Sequence, residues 1–152
     1  MKSVKSFVST IFDGSNYAYI YIWVSKTEKF IYVGQTNERN GTWGRGYSHV
    51  QSNGTLRARC SEQVGLGLEL IPDLTLISYV LPQKREYIGI ESSFRLAIEY
   101  LVQSKLYEER KNVTPIFKII SNISTTGQTN NSQVKEIASN IVKDFISVYR
   151  QM

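Results

Sequence analysis

Apolar residues recur along this chain in two periods. Val4, Phe7, Val8, Ile11 and Phe12 fall at helical spacing and stop at Asp13-Gly14, which predicts a helix over residues 3–12. Residues 17–24 (YAYIYIWV) are dense in aromatic and β-branched side chains. Residues 26–29 supply a polar turn, and residues 30–33 resume the strand pattern until Gly34 breaks it. An antiparallel hairpin is predicted. Residues 74–81 (LTLISYVL), set between Pro72-Asp73 and Pro82, predict a third strand added to that hairpin. Ile90, Phe94, Ala97, Ile98 and Leu101 predict an amphipathic helix over 89–106, and Val134, Ile137, Ala138, Ile141, Phe145 and Val148 a closing helix over 134–150. The intervening residues 121–133 are polar and of low complexity, as in a surface loop. Residues 37–54 open as a glycine-rich loop whose part around 45–51 is compatible with a helix. The order predicts an α+β fold: a small three-stranded antiparallel sheet flanked by helices, with extra helices at both ends.

Composition narrows the class. At 152 residues and 41% hydrophobic, the chain suits one globular domain over 1–152 rather than a disordered segment. No apolar run approaches the roughly 18 residues of a membrane span, so no membrane partner is expected. Lys and Ser interrupt the N-terminal residues too often for a secretory leader. Cys60 is the only cysteine and His49 the only histidine, which excludes an internal disulfide and a structural Cys/His zinc site. A reducing, cytoplasmic location is the default.

Charge adds more than composition. Of 18 Lys+Arg against 13 Asp+Glu, four arginines (Arg39, Arg45, Arg57 and Arg59) lie in residues 39–61, where there is no acid. Trp43 and Tyr47 are interleaved with them. Guanidinium forks and aromatic faces together suit a phosphate backbone with exposed bases, which makes Arg39, Trp43, Arg57 and Arg59 candidate nucleic-acid contacts. If residues 45–49 are helical, Arg45 and His49 share a face.

Tyr19-Ile20-Tyr21 on the first hairpin strand, Tyr32-Val33-Gly34 on the second, Gln35-Thr36 after it, and the R-x-x-x-H pair Arg45 and His49 resemble the GIY-YIG endonucleases over about residues 17–118. Three features depart from that pattern: Tyr19 replaces the first glycine, NERNGTWG lengthens the loop before Arg45, and Lys118 stands where the family has a late Asn, with Asn122 as a substitute. The resemblance implies hydrolysis of phosphodiesters in DNA, with RNA left open, using one Mg²⁺ or Mn²⁺. In those roles Tyr21 deprotonates or positions water, Tyr32 hydrogen-bonds in the same site, Arg45 holds a phosphate oxygen, and His49 assists. A Glu on the helix after the third strand ligates the metal; Glu91 is preferred to Glu99, whose surroundings, Ala97-Ile98-Glu99-Tyr100-Leu101-Val102, resemble the run of repair-type members. Lys118 becomes a further phosphate contact. A restriction, phage-defence or mobile-element nuclease, in monomeric or homodimeric form, fits a chain of this size. The alternative is a nucleic-acid-binding module that keeps the scaffold without catalysis.

Overall fold

The computed structural model describes residues 14–124 and 127–152, so the helix predicted over 3–12 lies outside the described residues. The described residues form an α+β fold with a four-stranded mixed sheet and five α-helices. Strands β1 (Tyr19–Ser25) and β2 (Phe30–Thr36) are the expected antiparallel hairpin, with Tyr21 opposite Gly34 and Trp23 opposite Tyr32. Strand β3 (Thr75–Val80) pairs antiparallel with β1. The expected three strands become four because β4 (Lys118–Ile119) pairs parallel with β2, giving the order β3-β1-β2-β4. A two-residue strand carries no period, and a parallel partner this distant in sequence leaves no local signature.

The hairpin is buried on both faces, which explains why its sequence runs almost continuously apolar instead of alternating with polar residues. Ile20, Ile22, Val24, Ile31 and Val33 face α4 (Ser93–Glu109) and α5 (Ser132–Gln151), packing with Ala97, Ile98, Val102, Phe145 and Tyr149. Tyr21, Phe30 and Tyr32 point the other way, towards Leu56 and Cys60 of α2 (Thr55–Gln63). Helix α1 (Gly41–Val50) lies beside α2 over that second face. The sheet therefore separates a larger apolar layer under α4 and α5 from a smaller one that holds Tyr21, Phe30 and Tyr32.

Helix α5 begins at Ser132, where the Asn131 side chain accepts a hydrogen bond from the Val134 N–H at 3.1 Å, and it buries Val142, Ile146 and Tyr149 besides most of its predicted stripe. Helix α4 starts four residues later than predicted. The one-turn helix α3 (Arg85–Ile88) precedes it, and Ile90, assigned to the apolar stripe by spacing, is 99% exposed. No helix among the described residues is long and apolar enough to cross a membrane.

Candidate active site

Strand register brings Tyr21 beside Gly34, and the tyrosine ring crosses the glycine backbone. A Cβ on Gly34 would overlap Cζ and Oη of Tyr21, so only glycine leaves room for the phenol there. Tyr21 Oη lies 2.6 Å from Nε2 of His49, which α1 projects inward. Both residues are almost fully buried, Tyr21 at 2% exposed and His49 at 1%. The His49 ring also stands edge-on to Tyr32, with centroids 5.1 Å apart.

Arg45, one turn before His49, lies near the same phenol and acts on its ionisation, while its side chain is largely exposed. With the His49 proton on Nδ1, Nε2 accepts and the phenol donates. Burial, and secondarily the Arg45 charge, pushes the imidazole down to about 4, so it is neutral at pH 7 and able to accept. Burial also raises the Tyr21 phenol above its ordinary value; the nearby Arg45 guanidinium acts in the opposite direction.

A polar stripe on α4 completes the cluster. Arg95, Glu99 and Gln103 follow one another at four-residue spacing and share a face. Arg95 donates to Gln35 Oε1 and to the carbonyls of Tyr87, Gly89 and Glu91. Gln103 donates to the Asn122 carbonyl and accepts from the Ser121 hydroxyl. Between these two committed side chains, Glu99 has no hydrogen bond to the described residues. Burial pushes its carboxyl up to about 7, with Arg45 pulling in the opposite direction. Its charge acts on both Tyr21 and Tyr32. Glu99 lines a cavity of about 150 Å³ together with Tyr32, Thr55, Arg59, Gln103 and Asn122.

The structure thus brings Tyr21, Tyr32, Arg45 and His49 together, and it sets Glu99 with them instead of Glu91. Because α4 begins at Ser93, Glu91 precedes the helix. Its carboxylate accepts from the Ser93 N–H at 3.0 Å on the surface, beside Arg85, Glu86 and Ile90. Arg95 fixes that turn by its bonds to the Tyr87, Gly89 and Glu91 carbonyls. The signal missed in the sequence is the R-x-x-x-E-x-x-x-Q spacing itself, a polar face on a helix read only for its apolar one.

The arginines divide. Arg59 lines the cavity with Glu99, pairs with Glu62 at 3.5 Å, and its charge reaches Tyr32. Arg57 is committed elsewhere: it donates twice to the Val50 carbonyl at the end of α1 and pairs with Glu69 at 2.7 Å. Arg39 and Trp43 are exposed. Lys118 lies outside the cavity and donates to the Gln63 carbonyl at 3.5 Å, whereas Asn122 lines it.

Among the described residues no three His, Cys, Asp or Glu side chains gather as a metal-ligating group. Glu99 is the carboxylate of this cavity that would hold a cation, with water and substrate oxygens filling its shell. That is the mode Mg²⁺ accepts. A half-buried carboxylate with no hydrogen bond among the described residues fits such a cation, which would add to the positive charge of Arg45. No protein-family model matches the chain, and no curated protein or solved structure matches it.

Proposed function

We propose that this chain is a GIY-YIG-type endonuclease that hydrolyses phosphodiester bonds in DNA. The observation carrying the proposal is the convergence of Tyr21, His49, Arg45 and the unpartnered Glu99 at one end of the hairpin. Arg45 holds a non-bridging oxygen of the scissile phosphate and offsets the charge that builds up in the pentavalent state. Tyr21 receives a proton from the attacking water while its own proton passes to the neutral Nε2 of His49. The water oxygen forms the new bond to phosphorus, and the bond to the departing sugar oxygen breaks as that oxygen takes up a proton from solvent water. Tyr32 packs against His49 and holds its ring edge towards Tyr21. A Mg²⁺ or Mn²⁺ ion held by Glu99 would supply Lewis-acid stabilisation of the phosphate charge. Arg59 adds a positive charge on the cavity side of the phosphate.

The test is conversion of supercoiled plasmid to nicked and linear forms with Mg²⁺ or Mn²⁺ and not with EDTA. Cutting that disappears in Tyr21→Phe and Arg45→Ala is expected. Salt-sensitive DNA binding with no cutting by the wild-type chain would instead favour the non-catalytic binding module.

A further inference from the structure

Strand β3 is an outer strand of the described sheet, and its free edge is unprotected. The Leu81 N–H donates to the Ala18 carbonyl at 2.9 Å, one step beyond the end of the β1–β3 register. Bonded and non-bonded pairs alternate along an antiparallel ladder, so Thr75, Ile77 and Tyr79 turn their N–H and C=O groups inward to β1. Leu76, Ser78 and Val80 turn theirs outward. Sheet edges are commonly shielded by a charged side chain, a proline or a bulge. The six residues TLISYV contain no charge and no proline, and their register with β1 runs without a break.

This edge is complementary to itself. A two-fold axis at Ser78 sets Ser78 opposite Ser78 of a second copy and Leu76 opposite its Val80, so all three outward residues exchange hydrogen bonds. An axis at Leu76 or Val80 would leave half of the strand unpaired. On the α5 side, Ile77 meets Tyr79 of the second copy, a β-branched and aromatic pair of the kind that stabilises neighbouring strands. Ile77 and Tyr79 line an open groove of about 550 Å³ with Ile137 and Ile141 of α5, and the Tyr79 hydroxyl is tied to Asp144 at 3.0 Å. Charge sets the direction. Asp73 precedes the strand, while the exposed Lys84 and Arg85 follow it and form no ion pair among the described residues. Antiparallel pairing lays the acidic end of one strand beside the basic end of the other, whereas parallel pairing would oppose like charges.

We propose that a second copy of this chain pairs antiparallel along β3 about a two-fold axis at Ser78, joining two four-stranded sheets into one. The association stands apart from the phosphodiesterase reading; its consequence for cutting rests on that reading. Tyr21 is the β1 neighbour of Ser78, so the two tyrosines fall in one row across the joined sheet, with the two serines between them. Neighbouring strands are about 4.8 Å apart, which sets the two Tyr21 backbones about 14 Å apart on one sheet face. A duplex with matching two-fold symmetry meets both sites, and both of its strands are cut in one encounter.

Sedimentation equilibrium of the full chain at micromolar concentration, without DNA, tests the association. The wild type is expected at twice the mass of one chain. Val80→Lys, at a position 47% exposed, should sediment as single chains with an unchanged circular dichroism spectrum. Register is read by cross-linking. Under mild oxidation Ser78→Cys should form a disulfide-linked dimer, since opposed residues of a bonded pair lie about 5.5 Å apart, within disulfide reach. Thr75→Cys is more exposed but faces Leu81 of the second copy, and should not cross-link; the native Cys60 is buried. A monomeric wild type overturns the proposal and leaves the edge to an extended peptide of another protein. A dimer unaffected by Val80→Lys, or one in which Ser78→Cys cross-links no faster than Thr75→Cys, overturns it too. Plasmid cutting is read separately: the wild type should yield linear product directly, and Val80→Lys should accumulate nicked circles. A dimer that cuts nothing keeps the interface and loses the hydrolase; a monomer that cuts does the opposite.

Discussion

The ring of Tyr21 lies directly over the backbone of Gly34, its cross-strand partner, and the phenol reaches His49 only because no side chain stands there. Tyr21 is held between sheet and helices and has nowhere to retreat. Gly34→Ala is therefore expected to lower stability by about 1–3 kcal/mol through overpacking. It should also reduce plasmid cutting at least a hundredfold by displacing the phenol. Chemical denaturation measures the first effect and a cleavage time course the second.

Tyr21→Phe separates chemistry from packing. The ring remains and the proton donor to His49 is lost, so cutting should fall about 10²–10³-fold, the usual contribution of one acid–base group. His49 Nε2 is left buried without a partner, at a stability cost of about 1–3 kcal/mol. Activity that survives this change would remove Tyr21 from the proton path.

The two acids on and before α4 give opposite expectations. Glu91 is a surface acid that accepts a hydrogen bond from the N–H of Ser93, so Glu91→Gln should leave cutting within about twofold of wild type. Glu99→Gln should abolish cutting and Mn²⁺ binding, yet stabilise the chain at pH 8 by about 1–3 kcal/mol, because it removes a carboxylate whose ionisation burial opposes. A gain in stability with a loss of function marks a group held for its chemistry.

The same groups set an unusual pH response. Between pH 4.5 and 6.5 the unfolded chain carries a protonated His49 and an ionised Glu99, whereas the folded chain holds the imidazole neutral and the carboxyl protonated. Each state binds one proton on this pair, so the two contributions cancel and the wild type loses no stability from them in that window. In Glu99→Gln only His49 remains, with its folded value below its unfolded one. Stability should then fall by up to about 3 kcal/mol as pH drops from 6.5 towards 4. His49→Gln should do the reverse, losing stability as pH rises from 4.5 to 7. Urea denaturation across this range tests both signs.

Ionisation of Glu99 also governs the cation. Below about pH 7 a metal must displace the proton, so apparent Mn²⁺ affinity should fall up to tenfold for each further pH unit. Calorimetry in two buffers of different ionisation heat should show proton release near neutrality. Glu91→Gln should not alter it.

Much of this arrangement is legible in the sequence where period and register are local. The hairpin follows from two short aromatic and β-branched runs around a polar turn, and its register places Tyr21 opposite Gly34. Arg45 and His49 share a face once α1 is helical. What escapes is what depends on distant partners. Strand β4 is two residues long and pairs across nearly ninety positions of chain, and its shortness hides it. A helix start at Gly89 favours Glu91; the actual start at Ser93, where Arg95 grips three carbonyls, moves it off the helix. Glu99 sits beside the apolar stripe, and its inward orientation shows only through Arg95 and Gln103, polar residues one turn away on either side. Arg57 reads as free charge until Val50 and Glu69 are seen to occupy it.

The most direct measurement is a plasmid-cleavage time course in Mn²⁺ with the wild type, Glu99→Gln and Glu91→Gln at equal concentration. The expected result is cutting by the wild type and Glu91→Gln, stopped by EDTA, and none by Glu99→Gln although it melts at or above the wild-type temperature. Undiminished cutting by Glu99→Gln, or no cutting by the wild type with any divalent ion, would contradict a metal-dependent site built on Tyr21, His49, Arg45 and Glu99.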